Sequence, residues 1–130
     1  MKRINLLLIV LILLAGCSEL GTKVENNTDY QKEQLEKILK ADDHVKLAVA
    51  LIHEKEIIAG IRVNTFSRFQ KKKIAADLKK KIEKAYPDLN VTVSADSKVL
   101  LETEKLMDKK EKDQYGKKIK EIKSIVKEQT

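Results

Sequence analysis

The sequence predicts a small α/β domain, a two-layer sandwich in which helices cover one face of a three-stranded sheet. Apolar residues alternate with period two in three short segments, which is typical of strands. Apolar residues at helical spacing lie before, between and after these segments, and only four Gly and one Pro interrupt the 130 residues. The predicted order of elements is therefore α-β-β-α-β-α, with an extra helix at the C-terminus.

The first half of this order comes from one helical and two alternating segments. Thr28-x-x-Gln31 has the spacing of a capping box and precedes an apolar stripe, which predicts a helix over residues 29–41. Residues 45–52 and 57–63 alternate, with a short polar stretch between them. So short a break between two strands predicts an antiparallel hairpin.

The second half begins with the strongest helical pattern of the chain. Ser67-x-x-Gln70 again has capping-box spacing and opens a helix that must end before Pro87. Residues 89–95 then form a third strand with one apolar and one small polar face, so one side of the sheet is expected to face solvent. The helix between the second and third strands makes those strands parallel, as neighbours or next-neighbours.

The pattern after the third strand is helical to the C-terminus. Asp96 is expected to cap the segment that starts at Ser97. A charged stretch follows this segment, and Gly116 weakens helix nearby by about 1 kcal/mol. The pattern therefore predicts either two helices or one long helix with a weak middle.

The N-terminus has the arrangement of a secretory signal peptide. Lys2 and Arg3 precede the unbroken apolar run Leu6–Leu14, and small residues follow the run. The run is too short for the roughly 20 residues that span a bilayer as a helix. The sequence therefore predicts export from the cytoplasm.

The end of this segment, Leu14-Ala15-Gly16-Cys17, resembles the lipobox of bacterial lipoproteins. The resemblance implies that the thiol of Cys17 carries a diacylglyceryl group and that a peptidase cuts between Gly16 and Cys17. Two acyl chains hold a protein stably on a membrane, so the expected location is extracytoplasmic and lipid-anchored. The alternative is a short uncleaved anchor with an incidental cysteine. The expected divisions of the chain are a signal peptide (1–16), the lipidated cysteine with a short tether (17–28) and a single domain (29–130).

The residue pattern does not point to catalysis or metal binding. His44 and His53 lie nine residues apart, at opposite ends of the first predicted strand, so roughly 30 Å separates them and they cannot share a metal. Cys17 is the only cysteine, which excludes a disulfide within the chain. The sequence has no Gly-rich phosphate loop, nucleophile elbow or metalloprotease motif. We therefore expect no catalytic residues, no metal and no cofactor.

Positive charge is concentrated in one predicted helix. The chain has a formal net charge of +7, and the helix after Ser67 carries eight cations against Asp77 and Glu83. These cations fall opposite the predicted apolar face, so they form either a solvated surface or a basic ridge that binds anionic lipid or an envelope polymer. Nucleic acid is not expected as a partner, since no set of aromatic residues for base stacking accompanies the lysines. The candidate residues are Arg68, Lys71, Lys72, Lys73, Lys79, Lys80, Lys81 and Lys84.

Two stretches of the chain carry a resemblance to a family. Ala41-Asp42-Asp43-His44-Val45-Lys46-Leu47-Ala48-Val49-Ala50 and Val91-Thr92-Val93-Ser94-Ala95-Asp96 resemble the domain of the YhcN/YlaJ-type sporulation lipoproteins of endospore-forming bacteria. The lipobox, the lysine-rich helix and the total length agree with this resemblance. It implies a protein of the spore membrane and envelope that is linked to germination or outgrowth and has no enzymatic activity.

The sequence therefore leaves three classes of function to distinguish. The first is a non-catalytic, membrane-anchored lipoprotein of the spore envelope. The second is a generic lipoprotein module that self-associates or binds a protein partner, since the α/β layout is similar to ring-building and BON-type domains, a likeness at the level of fold alone. The third is an enzyme, which the residue pattern disfavours.

Overall fold

The computed structural model describes residues 21–108 and 114–128. This part of the chain has the order β-α-β-β-α-β-α-α, with a 3₁₀ helix before the second α-helix. The α/β class is therefore confirmed. The strands are β1 (Thr22–Asn26), β2 (Val45–His53), β3 (Glu56–Val63) and β4 (Asn90–Ser94), and the helices are α1 (Glu33–Ala41), the 3₁₀ helix (Thr65–Gln70), α2 (Lys71–Ala85), α3 (Ser97–Asp108) and α4 (Tyr115–Glu128).

The sheet has four strands in the spatial order β1-β2-β3-β4, rather than the three that the sequence predicts. The additional strand is β1, which lies inside the expected tether and pairs in parallel with β2 from Thr22 opposite Ala48 to Asn26 opposite Ile52. The β2–β3 hairpin is antiparallel and β3 is a parallel neighbour of β4, which confirms both predicted pairings.

Helices cover both faces of the sheet, so the expectation of two layers with one solvent-facing side is wrong. Side chains of α1 and α2 pack on one face against Ala48, Ala50 and Ile61. Side chains of α3 and α4 pack on the other face against Val49, Leu51 and Ile58. The reason is that β2 and β3 are apolar on both sides, as strands buried on two faces usually are.

Both predicted capping boxes are wrong, although the helices that they were meant to open exist. The hydroxyl of Thr28 donates to Asn26 Oδ1 at 2.6 Å, and α1 starts later, at Glu33, with no side-chain cap. The backbone N–H of Ser67 donates to Asn64 Oδ1 at 2.9 Å, so Asn64 caps the 3₁₀ helix that leads into α2. In both places an Asn side chain accepts a backbone N–H two or three residues later, but only Asn64 caps a helix.

The C-terminal prediction is resolved in favour of two helices, since α3 and α4 pack side by side on the same sheet face. Asp96 caps α3 as expected, because its Oδ1 accepts the N–H of Lys98 at 2.7 Å. Helix α2 ends at Ala85, before Pro87, which is also as predicted.

Candidate functional site

Helix α2 presents the predicted cations to solvent. Arg68 lies in the 3₁₀ helix and the seven lysines lie in α2, and all eight residues are exposed. Within the described residues no ion pair involves any of them, whereas lysines 32, 40, 105, 118 and 123 each pair with a glutamate. The structure therefore leaves this set of charges available to an anionic partner.

The lysines do not form a single ridge, because they divide between two grooves beside α2. Lys71, Lys72 and Lys79 line an open groove of about 480 Å³ along β4, together with Ser94 and Asp96. A second groove, of about 400 Å³, lies on the other side of the helix and contains the cations Lys73, Lys80 and Lys81. Its other lining residues are Asp42, His44, Gln70, Ile74 and Asp77. The charge thus surrounds the exposed half of the helix.

Two phenylalanines that are not among the predicted site residues lie next to these cations. Phe66 is 98% exposed and Phe69 is fully exposed, and they are the only Phe residues of the chain. Aromatic side chains of this size normally supply core packing, so an exposed pair indicates an interaction surface. The sequence signal was available: TFSRFQKKK places both rings in a polar, basic context without an apolar period.

The two histidines lie at opposite ends of β2, as predicted, and have different surroundings. His44 is half exposed and bonds Asp42 twice, through its backbone N–H and its Nδ1, each 2.9 Å from Asp42 Oδ1. His53 is largely buried and packs edge-on against Tyr115, with 5.1 Å between the ring centroids. The histidines therefore belong to separate structural contacts.

A polar cluster surrounds His53 at the far end of the sheet. Tyr115 donates its hydroxyl to Glu25 Oε2 at 3.1 Å, and burial together with this carboxylate raises the pKa of Tyr115. Lys123 Nζ lies 3.0 Å from Glu56 Oε1 and ties α4 to the start of β3. These contacts hold α4 on the sheet. In the described part of the chain no three His, Cys, Asp or Glu residues are grouped so as to hold a metal ion.

The predicted lipidation and cleavage residues, Cys17 and Gly16, lie outside the described residues. The described chain begins at Gly21, whose carbonyl accepts the N–H of Ala48 at 2.7 Å. Gly21, which is thus already bound to β2, lies four residues after Cys17. None of the helices in the described ranges is long and apolar enough to cross a membrane.

Comparison with known proteins identifies no relative of this chain. No protein-family model matches the chain, and no curated protein or solved structure matches it either.

Proposed function

We propose that this chain is a non-catalytic lipoprotein that is held on the extracytoplasmic face of a membrane by a lipid on Cys17. The observation that carries the proposal is the lipobox-like Leu14-Ala15-Gly16-Cys17, placed directly after the basic and apolar parts of a signal peptide. The proposal requires no cofactor and no metal.

The position of β1 supports close attachment to the membrane. Four residue steps separate Cys17 from Gly21, and a fully extended chain covers at most about 3.6 Å per residue, or about 14 Å. A domain on so short a tether stays within reach of the lipid surface. The exposed cations of α2 would then act near anionic headgroups, where each contributes about 1 kcal/mol.

The particular setting that we propose is the spore envelope, with a role in germination or outgrowth. This part rests on the resemblance of residues 41–50 and 91–96 to the sporulation lipoproteins. In the structure the first of these stretches forms the end of α1 and the start of β2, and the second forms β4 and the cap of α3.

The anchor is tested by the intact mass of the protein purified from membranes. We expect residues 1–16 to be absent and Cys17 to carry the added mass of the lipid. Cys17→Ala should leave the chain unprocessed or release it from the membrane, whereas Ser18→Ala, the adjacent control, should be processed normally. An unmodified Cys17 with residues 1–16 retained would contradict the proposal.

The developmental setting is tested separately by the timing of expression. Expression confined to sporulating cells is the expected result. Steady expression in a species that never sporulates would remove the spore envelope from the proposal and leave the anchor unaffected.

The alternative, a lipoprotein module that binds a protein partner or a second copy, is favoured by one observation. Strand β4 is an edge of the sheet, and the groove beside it is open and lined by Lys71, Lys72 and Lys79. Edge strands can accept a further strand from another chain. Crosslinking of whole cells would detect a discrete adduct of defined mass only if such a partner exists.

A further inference from the structure

We infer that Phe66 and Phe69 form a membrane-insertion site, in which both rings enter the acyl-chain boundary of an anionic bilayer while the surrounding cations contact the headgroups. The inference deepens the proposed function, since its distance argument rests on the lipid at Cys17.

The first support is the geometry of the aromatic pair. In a 3₁₀ helix, residues at positions i and i+3 are eclipsed and project on the same side. Phe66 and Phe69 have this spacing within the 3₁₀ helix Thr65–Gln70, and neither ring is covered by the rest of the domain. Two adjacent, uncovered rings expose far more apolar surface than an isolated surface residue does.

The second support is that the pair and the chain leading to Cys17 lie at the same end of the sheet. The carbonyl of Gly21 accepts a hydrogen bond from Ala48 in the first half of β2. Strand β3 ends at Val63, which pairs with Val45 at the start of β2. The N–H of Asn64 then donates to the carbonyl of His44 at 2.9 Å, which places the start of the 3₁₀ helix at this end. We call it the anchor end. A tether of at most about 14 Å therefore keeps the membrane near the end of the sheet at which the 3₁₀ helix with its two exposed phenylalanines begins.

The third support is the charge of the anchor end. Exposed cations at the strand ends and in the first turns of the helices outnumber the aspartates there by seven to three. Two of those aspartates are already engaged, Asp42 by His44 and Asp96 by the N–H of Lys98. Basic residues around inserted aromatic side chains are the composition of interfacial membrane sites. The cations are Lys46, Arg62, Arg68, Lys71, Lys72, Lys73 and Lys98.

The inference is tested with single-tryptophan variants of the full chain, purified from membranes and reconstituted in vesicles. The protein has no Trp, so Phe66→Trp and Phe69→Trp each introduce a unique fluorophore. Tyr30→Trp is the matched control, because it replaces an exposed aromatic residue beyond the opposite end of the sheet. Val63 pairs with Val45 at the start of β2, and Asn26 pairs with Ile52 near its end. These positions are seven residues apart, so the end of β1 that leads to Tyr30 lies about 23 Å from the anchor end.

The vesicles contain phosphatidylcholine with brominated acyl chains, with or without phosphatidylglycerol. With phosphatidylglycerol, we expect the two Phe variants to lose most of their emission and to shift it to shorter wavelength, since an inserted side chain lies about 5–10 Å below the surface. The Tyr30→Trp emission should be unchanged. If each of the three variants has the same emission in brominated and in ordinary vesicles, the inference is overturned. This holds even if the protein is found to bind a soluble anionic polymer.

The intact mass of the same samples separates this test from that of the anchor. A lipidated Cys17 without quenching overturns the insertion site alone. Quenching with an unmodified Cys17 supports the insertion site and overturns the lipid anchor. As a second measurement, the Phe66→Ala/Phe69→Ala double variant should keep the melting temperature of the native protein, because neither ring packs in the core. It should also lower the affinity of the domain for the anionic surface by roughly tenfold or more.

Discussion

Gly60 shows how closely α3 approaches the sheet. A Cβ atom at this position would lie 2.6 Å from Leu100 Cα and 2.9 Å from Leu100 N, both of which are backbone atoms that cannot rotate away. At Gly116, in α4, no described residue outside its own helical turn and chain neighbours places a heavy atom within 4 Å of the corresponding position. One glycine is therefore required by packing and the other is not.

The two glycines form a matched pair for a stability measurement. Gly60→Ala should lower the free energy of unfolding by about 1–3 kcal/mol, because α3 must move to accept the methyl group. Gly116→Ala should raise it by about 0.4–1 kcal/mol, because it restricts the unfolded chain. Urea unfolding of both variants gives the comparison, and equal effects of the two substitutions would contradict the close approach of α3.

Tyr86 links α2 to the start of α1 and makes stability depend on pH. Its hydroxyl donates to the carbonyl of Gln31 and accepts the N–H of Leu35 at 3.1 Å. Burial raises the pKa of Tyr86 above the ordinary value of about 10. The folded state thus favours the neutral phenol, so this contribution is complete below about pH 10 and is lost as pH rises through the raised pKa.

The expected result is a pH-dependent difference between the native chain and Tyr86→Phe. At about pH 9 the substitution should cost about 1–3 kcal/mol, because the N–H of Leu35 loses its partner. At about pH 11 the difference should be smaller, because ionisation of Tyr86 then stabilises the unfolded native-sequence chain relative to its folded state. Urea unfolding at both values checks the sign, and a difference that grows with pH would contradict it.

The cap of α3 is the clearest local signal that the sequence and the structure share. Asp96 accepts the N–H of Lys98, and its carbonyl accepts the N–H of Leu100 at 3.1 Å, so the helix starts directly after it. Asp96→Ala should lower the free energy of unfolding by about 1 kcal/mol. Asp96→Asn keeps the accepting oxygen and should stay close to the native value. A loss of equal size in both variants would show that the charge, and not the cap, is what stabilises α3.

The helices and strands β2, β3 and β4 could be predicted from sequence because their apolar patterns are strong. Strand β1 could not, since TKVEN contains one large apolar residue and its pairing uses backbone groups that any sequence provides. The coverage of both sheet faces was also missed. Ala48, Ala50 and Ile52 lie on the second face of β2 and are fully buried in the cluster to which α1 and α2 contribute.

The candidate site was predictable in part for a similar reason. A run of lysines in a helix is exposed by necessity, so the cations of α2 could be placed from the sequence. The polar, basic context of Phe66 and Phe69 is visible in the sequence, but their full exposure is not, because phenylalanine is usually buried and only the fold shows that no core reaches them. Their position at the anchor end depends on β1, which the sequence did not predict.

The distribution of charge over the molecule predicts a directional interaction with membranes. A chain that begins at Ser18 retains both cores, whose residues all lie between Val24 and Val126. This chain should bind vesicles containing phosphatidylglycerol, and binding should weaken with salt, since the Debye length falls from about 10 Å at 0.1 M to about 3 Å at 1 M.

Charge reversal at matched positions separates orientation from total charge. Reversal of Lys72, Lys73 and Lys80 to Glu should abolish vesicle binding at low salt. Reversal of three exposed lysines elsewhere gives the same net charge and should reduce it only modestly; these are Lys55, Lys117 and Lys120. Sedimentation with vesicles measures both, and equal losses would mean that α2 has no special role.

The parallel pairing of β1 with β2 also has a mechanical consequence. A pull on a lipid at Cys17 would reach the domain through Gly21 and act along the axis of β1. The ladder bonds of β1 run across that axis, so they would resist together, whereas a hairpin pulled at its open end breaks them one after another. Strand β1 would thus act as a shear clamp that keeps the domain joined to its lipid under tension.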